Sequence, residues 1–204
     1  MRGNGAKRGF LVALAACFAL LCVLFARRSV DGWMAIEREY PRSNMALSLS
    51  RGKGGVIRID GAGKLYANDL KAMLRAADIH SSEVRDVIVG EDITEIGYKT
   101  FSRMRYLQTL KLGSDVARVA PGALNYCVAL EWLYLPSGAG EIGAGFLYGC
   151  DQCRVVTDAR PEDLPALENV KPESIVAGVD SLDGLRSAMG DNADLPDVLA
   201  RWWR

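Results

Sequence analysis

Residues 84 to 152 divide into three consecutive blocks of 23 residues, and this fixed period constrains the fold more than any other feature of the chain. The blocks read VRDVIVGEDITEIGYKTFSRMRY, LQTLKLGSDVARVAPGALNYCVA and LEWLYLPSGAGEIGAGFLYGCDQ; a partial fourth, CRVVTDA, opens at Cys153. Seven columns are apolar in all three blocks: Val84/Leu107/Leu130, Val87/Leu110/Leu133, Val89/Leu112/Leu135, Ile93/Val116/Ala139, Ile96/Val119/Ile142, Phe101/Leu124/Leu147 and Met104/Cys127/Cys150. The second and third columns lie two residues apart, the alternation of a strand with one buried face. Gly97, Ala120 and Gly143 make a further column of small residues, as a tight bend requires.

Seven apolar side chains are worth on the order of 10–20 kcal/mol if fully buried. Ordering a backbone costs about 1–2 kcal/mol per residue, so a block of this length does not fold alone. Neighbours must stack and share a core, with equivalent side chains lined up as ladders. The period therefore predicts a short solenoid of about three turns over residues 84–157, mainly β with irregular or short-helical returns. So short an array needs caps. Asn68 to Ala77 has helical spacing through Leu70, Met73 and Leu74 and an asparagine suited to capping, which predicts a helix within an N-terminal cap, residues 55–83. After Cys153 the period fades. Ile175 to Val179 reads as a short strand, Ser181 as the cap of a helix through Met189, and Leu195 to Arg204 as a final helix, together a C-terminal cap over 158–204.

The run Ile96-Gly97-x-x-x-Phe101-x-x-Met104-x-x-Leu107, with Cys127 and Cys150 at the next equivalents of Met104, resembles the BspA-like leucine-rich repeat, as does Leu133-x-Leu135-Pro136. Val56 to Leu65 is similar to the strand and G-x-G turn that precede such arrays. The likeness covers about residues 55 to 157; Met104 stands where the first cysteine is usual, and Gly138-Ala139-Gly140 replaces a small polar stretch. The resemblance implies a leucine-rich-repeat solenoid without catalytic residues, of a kind common in cell-surface adhesion and protein binding.

Gly9 to Ala26 is an uncharged, apolar run of eighteen residues. A helix of that length spans roughly 27 Å, close to a bilayer core. It is expected to be a single-pass signal anchor behind a basic tail, residues 1–8, and ahead of a juxtamembrane stalk, residues 27–54. A cleaved signal peptide competes with this reading, although the run is long and Val23-Leu24-Phe25-Ala26 makes a poor cleavage site. Leu14-Ala15-Ala16-Cys17 also has the letters of a bacterial lipobox. The export-like segment places the repeats outside the cytoplasm, while Arg and Lys near its two ends do not decide orientation by count.

Composition and motifs narrow the function. The 25 basic and 25 acidic residues cancel, leaving no broad positive surface for nucleic acid. His80 is the single histidine, beside Ser81 and Ser82, with no identifiable triad partners. Gly52-Lys53-Gly54-Gly55 and Gly61-Ala62-Gly63-Lys64 do not continue as phosphate loops, and Asp191 to Asp194 lacks the alternation of a calcium loop. Cys150-x-x-Cys153 with Cys127 falls short of four zinc ligands; core thiols are expected, with a Cys127–Cys150 or a Cys150–Cys153 disulfide both open in an exported domain. No enzyme, cofactor, metal or small-molecule substrate is expected.

A protein partner is. Between the inward strand positions lie two outward ladders, Asp86/Thr109/Trp132/Val155 and Ile88/Lys111/Tyr134/Thr157. Trp132 and Tyr134 are expected to face solvent beside Ile88 and Lys111, forming a binding face of the residue types that dominate interfaces. The competing reading is that the C-terminal tail folds over them. Recognition or adhesion at the surface is the leading expectation; a scaffold subunit of a membrane assembly is the alternative.

Overall fold

Each repeat block closes one coil of a β-solenoid: a strand, a bend, a shorter strand, then an irregular return to the start of the next coil. A computed structural model describes Ser43, residues 46–164, Leu167, 170–190 and 193–203. The basic tail, the expected membrane helix with its lipobox, residues 27–42 of the stalk, and Asp191 and Asn192 lie outside the described residues. In chain order the strands are β1 (Leu47–Arg51), β2 (Ile57–Gly61), β3 (Gly63–Leu65), β4 (Asp86–Val89), β5 (Ile93–Ile96), β6 (Thr109–Lys111), β7 (Arg118–Val119), β8 (Trp132–Tyr134), β9 (Glu141–Ile142), β10 (Arg154–Val156) and β11 (Ile175–Val176). Helix α1 (Ala67–Ala76) follows β3, and α2 (Leu182–Met189) follows β11.

The strands form two sheets, a larger one ordered β1-β2-β4-β6-β8-β10-β11 and a smaller one ordered β3-β5-β7-β9. All neighbours are parallel except β1 and β2, which form an antiparallel hairpin. Successive coils superpose at the 23-residue period: Val87 pairs with Leu110, and Leu110 with Leu133. The seven apolar columns line one continuous core, with Ile142 half-buried and the others buried. Stacked strands sit only about 4.8 Å apart, which explains the small-residue bend. A Cβ on Gly143 would stand 2.2 Å from the backbone nitrogen of Pro121 in the coil below.

Four corrections to the sequence reading follow. The small sheet has four strands, so there are four coils carrying both strands instead of three. The added one is β2–β3–α1 in the expected N-terminal cap, where Ile57 pairs with Val87 at a spacing of 30 because helix α1 replaces the irregular return. The expected stalk ends earlier than residue 54, because Leu47–Arg51 pairs with β2. The helix starts at Ala67 rather than being capped by Asn68; Asp69 supplies the cap, its carboxylate accepting from the Tyr66 amide at 3.1 Å and from the Ser43 amide at 2.9 Å. Finally, Trp132 pairs with Arg154 and Tyr134 with Val156, one residue short of the period. A one-residue slip exchanges the faces of a strand. Val155 therefore enters the core and Thr157 is fully buried, so neither joins the outward ladders expected of them. Two adjacent valines satisfy either register, so the apolar pattern alone does not decide between them.

Beyond the array, the cap helix expected from Ser181 forms as α2, the Ser181 hydroxyl accepting from the Gly184 amide at 3.1 Å. The expected final helix is a short 3-10 helix, Asp197–Arg201.

Candidate interaction surface

Trp132, Tyr134, Lys111, Ile88, Asp86 and Thr109 do share the outer face of the large sheet, but that face is not open. Trp132, Tyr134, Ile88 and Thr109 are buried, with Trp132 only 3% exposed. The expectation that they face solvent is corrected. Ile88, Trp132, Tyr134 and Val156, with Val56, make a second apolar core against Val179, Leu185, Leu199 and Trp202 of the C-terminal segment. Its physical cause is simple: five apolar side chains on one face leave an area that water does not tolerate cheaply, and the tail carries the matching apolar set. The Trp202 and Trp203 rings each sit 6.0 Å from that of Tyr134. Burial, then the Asp158 carboxylate, push the Tyr134 hydroxyl well above the usual phenol range. Thr109 donates to the Asp86 carboxylate at 2.8 Å, and Lys111 pairs with Glu91 at 3.3 Å while lying over the Tyr134 ring. Burial raises the Glu91 pKa, but hydrogen bonds from Ser114 and the charge of Lys111 outweigh it and hold the carboxyl below its ordinary value.

The exposed large apolar side chains among the described residues are Tyr98, Tyr106, Tyr126, Val128 and Tyr148. All five lie on the returns between coils, on no strand of either sheet. Three of the tyrosines, Tyr98, Tyr126 and Tyr148, lie on successive returns, and the last two touch. Tyr148 is 53% exposed and meets Tyr126 edge-on at 5.4 Å between ring centroids. Tyr126 leans over Gly149 of the next coil, where a Cβ would come within 2.8 Å of its ring. Tyr98 reaches in the same way toward Gly122, whose own neighbour is the Asn125 side chain. Cations flank the rings: the Arg103 guanidinium lies 6.0 Å from the Tyr126 centroid and the Lys99 ammonium 4.6 Å from that of Tyr98.

Column comparison could not find this strip. Tyr98, Tyr126 and Tyr148 belong to three different columns, and Tyr126 reaches Tyr148 only because its ring leans across Gly149 of the neighbouring coil. The available signal was weaker, namely aromatic residues in return positions between buried columns.

The candidates for chemistry occupy structural roles. His80 caps the 3-10 turn Ser81–Glu83, its Nδ1 accepting from the Ser82 amide at 3.3 Å and lying 2.6 Å from the Ser82 hydroxyl. Lys53–Gly55 turns β1 into β2, and Gly61 and Gly63 bound the bend from β2 to β3. Cys127, Cys150 and Cys153 are buried free thiols. Cys127 donates to the Phe101 carbonyl at 3.0 Å and Cys150 to that of Leu124 at 3.1 Å, the same contact repeated one coil on. The hydrogen bond shared with Cys150, then burial, keep the Cys127 thiol protonated, and burial does so for Cys153. Among the described residues no group of three or more His, Cys, Asp or Glu is placed to hold a metal, and no helix is long and apolar enough to cross a membrane.

Parallel coils with one sheet face sealed and the exposed aromatics gathered on the returns define a β-solenoid with a candidate protein-contact strip. No family model matches the chain, and no curated protein matches it. Among solved structures it is similar to a leucine-rich repeat protein from Eubacterium ventriosum ATCC 27560, with a TM-score of 0.37 and 14% identity. The match covers 61% of this chain and 44% of that one, so the chain spans less than half the length of that protein.

Proposed function

We propose that this chain is a non-enzymatic leucine-rich-repeat protein of the BspA-like kind that binds a protein partner through the tyrosine strip on its returns. One observation carries the reading: among the described residues the exposed large apolar side chains are four tyrosines and Val128, all on the returns, with Tyr126 and Tyr148 in contact. Tyrosine beside arginine is the composition of interface hot spots. The test is a photo-reactive phenylalanine analogue placed at Tyr148 and, as control, at the exposed Glu162, in cells that express the chain natively. A discrete adduct at position 148 alone supports the reading. Equal adducts at both positions, or none at 148, overturn it.

The second part of the reading is a tether, residues 9–26, with the repeats displayed outside the cytoplasm. It is supported by the apolar run and its basic flanks. Protease added to intact cells should digest residues 55–204. Protection until lysis would put the repeats inside and end the adhesion reading.

A further inference from the structure

We infer that the partner presents an acidic peptide segment with interspersed aromatic or apolar side chains, an inference that rests on the tyrosine strip being the contact surface. Across the three returns, residues 97–106, 120–129 and 143–152, the charged residues are Lys99, Arg103, Arg105 and Asp151. Three cations against one acid is a local excess in a chain whose total charge is zero. Elsewhere Arg51, Arg58, Arg118, Arg160 and Arg186 each pair with a carboxylate, while Arg85 and Arg154 lie over the Tyr106 and Trp132 rings, Arg201 donates to the Lys53 carbonyl, and Arg75 has no ion pair with a described carboxylate. The small sheet carries a complete alternating row, Lys64–Glu95–Arg118–Glu141, linked at 3.0, 4.0 and 3.4 Å. Arg103 and Arg105 are exposed and form no ion pair with a described carboxylate.

The geometry suits a segment laid along the strip. Arg103 stands against Tyr126, which touches Tyr148, so a cation and two rings run in sequence across three coils. A carboxylate meeting a guanidinium gains two parallel hydrogen bonds, while a neighbouring apolar side chain rests on the rings. A basic protein surface or a neutral apolar peptide would leave Arg103 and Arg105 without a carboxylate. Complementary charge also speeds encounter and makes binding sensitive to salt.

The test uses the full chain in non-ionic detergent and a fluorescein-labelled peptide of repeated Glu-Glu-Phe-Gly, with Gln-Gln-Phe-Gly as its neutral counterpart. Polarisation should show saturable binding of the glutamate peptide, and binding of the glutamine peptide weaker by roughly tenfold or more. The double variant Arg103→Gln, Arg105→Gln should erase that difference. Tyr148→Ala, and Tyr126→Asn, which keeps a side chain tolerant of left-handed backbone, should weaken binding of both peptides. Unchanged circular dichroism and urea midpoints establish that each variant is folded. Equal affinity for the two peptides, both lost in Tyr148→Ala, overturns the acidic partner and leaves the strip as the contact surface. Binding untouched by every substitution overturns both, and failure of the glutamate peptide to bind the wild-type chain overturns the acidic partner.

Discussion

Two positions in each return take left-handed backbone, and the residues found there differ from coil to coil. Lys99, Gly122 and Gly145 share one position, with φ of 53°, 62° and 62°; Arg103, Tyr126 and Gly149 share the other, at 63°, 59° and 75°. Glycine adopts this conformation freely, whereas a side chain costs roughly 1–2 kcal/mol. Arginine and tyrosine are thus held at strained positions on the surface proposed to bind, where their side chains have something to reach. Asp78, at φ 53°, offers a place to relieve such strain away from that surface. It ends α1 in a Schellman motif, its amide donating to the Arg75 carbonyl at 3.1 Å and that of Ile79 to the Leu74 carbonyl at 2.9 Å. Asp78→Gly removes the Cβ penalty and adds glycine's extra unfolded freedom, so a net gain of about 0.5–1 kcal/mol is expected. Equilibrium urea unfolding reads it as a raised midpoint. A lowered midpoint would mean that the aspartate side chain contributes more than its backbone conformation costs.

At the scale of elements, the strands are too short to persist alone. β7 and β9 have two residues each, and β6, β8 and β10 three. They exist because each pairs with the strand of a neighbouring coil, so a ladder of hydrogen bonds and a column of side chains form together. Much of this was legible. The buried columns, the bends, α2 with its serine cap and the β4, β6 and β8 register were all present in the spacing. The first coil was hidden for an identifiable reason: α1 buries Leu70 and Leu74 in place of an irregular return, lengthening the coil and moving its residues out of the columns. The slip at β10 was hidden because Val155 and Val156 look alike to any hydrophobicity pattern.

Across the whole molecule, the C-terminal segment runs from the last coil back to the first hairpin. It pairs β11 with β10 at one end of the large sheet and crosses Tyr134 with Trp202 and Trp203. Arg201 then donates to the Lys53 carbonyl in the β1–β2 turn, its guanidinium packed over Gly54. A solenoid is held by nearest-neighbour contacts, so a strap linking distant coils couples them into one unit. Trp202, 1% exposed, is its largest buried side chain. Trp202→Ala should cost about 3–5 kcal/mol, as truncation of a buried tryptophan does, and should raise binding of an apolar dye as the Trp132 and Tyr134 face opens. A loss under about 1 kcal/mol would mean that the tail rests on the sheet without supporting it.

What the amino-acid order determined by itself is whatever repeats: the period, the inward columns, the small residues at the bends, and hence a stack of parallel coils. These follow from local pattern, because a solenoid residue meets its own counterpart one period away. Which surface stays open was decided only by the tertiary structure. The outward pattern of Trp132 and Tyr134 is the same whether water or a tail lies beyond it, and the choice depends on a distant C-terminal segment that carries no period. The contact of Tyr126 with Tyr148 likewise joins two different columns through a ring leaning across Gly149, a contact between coils that no spacing along the chain encodes.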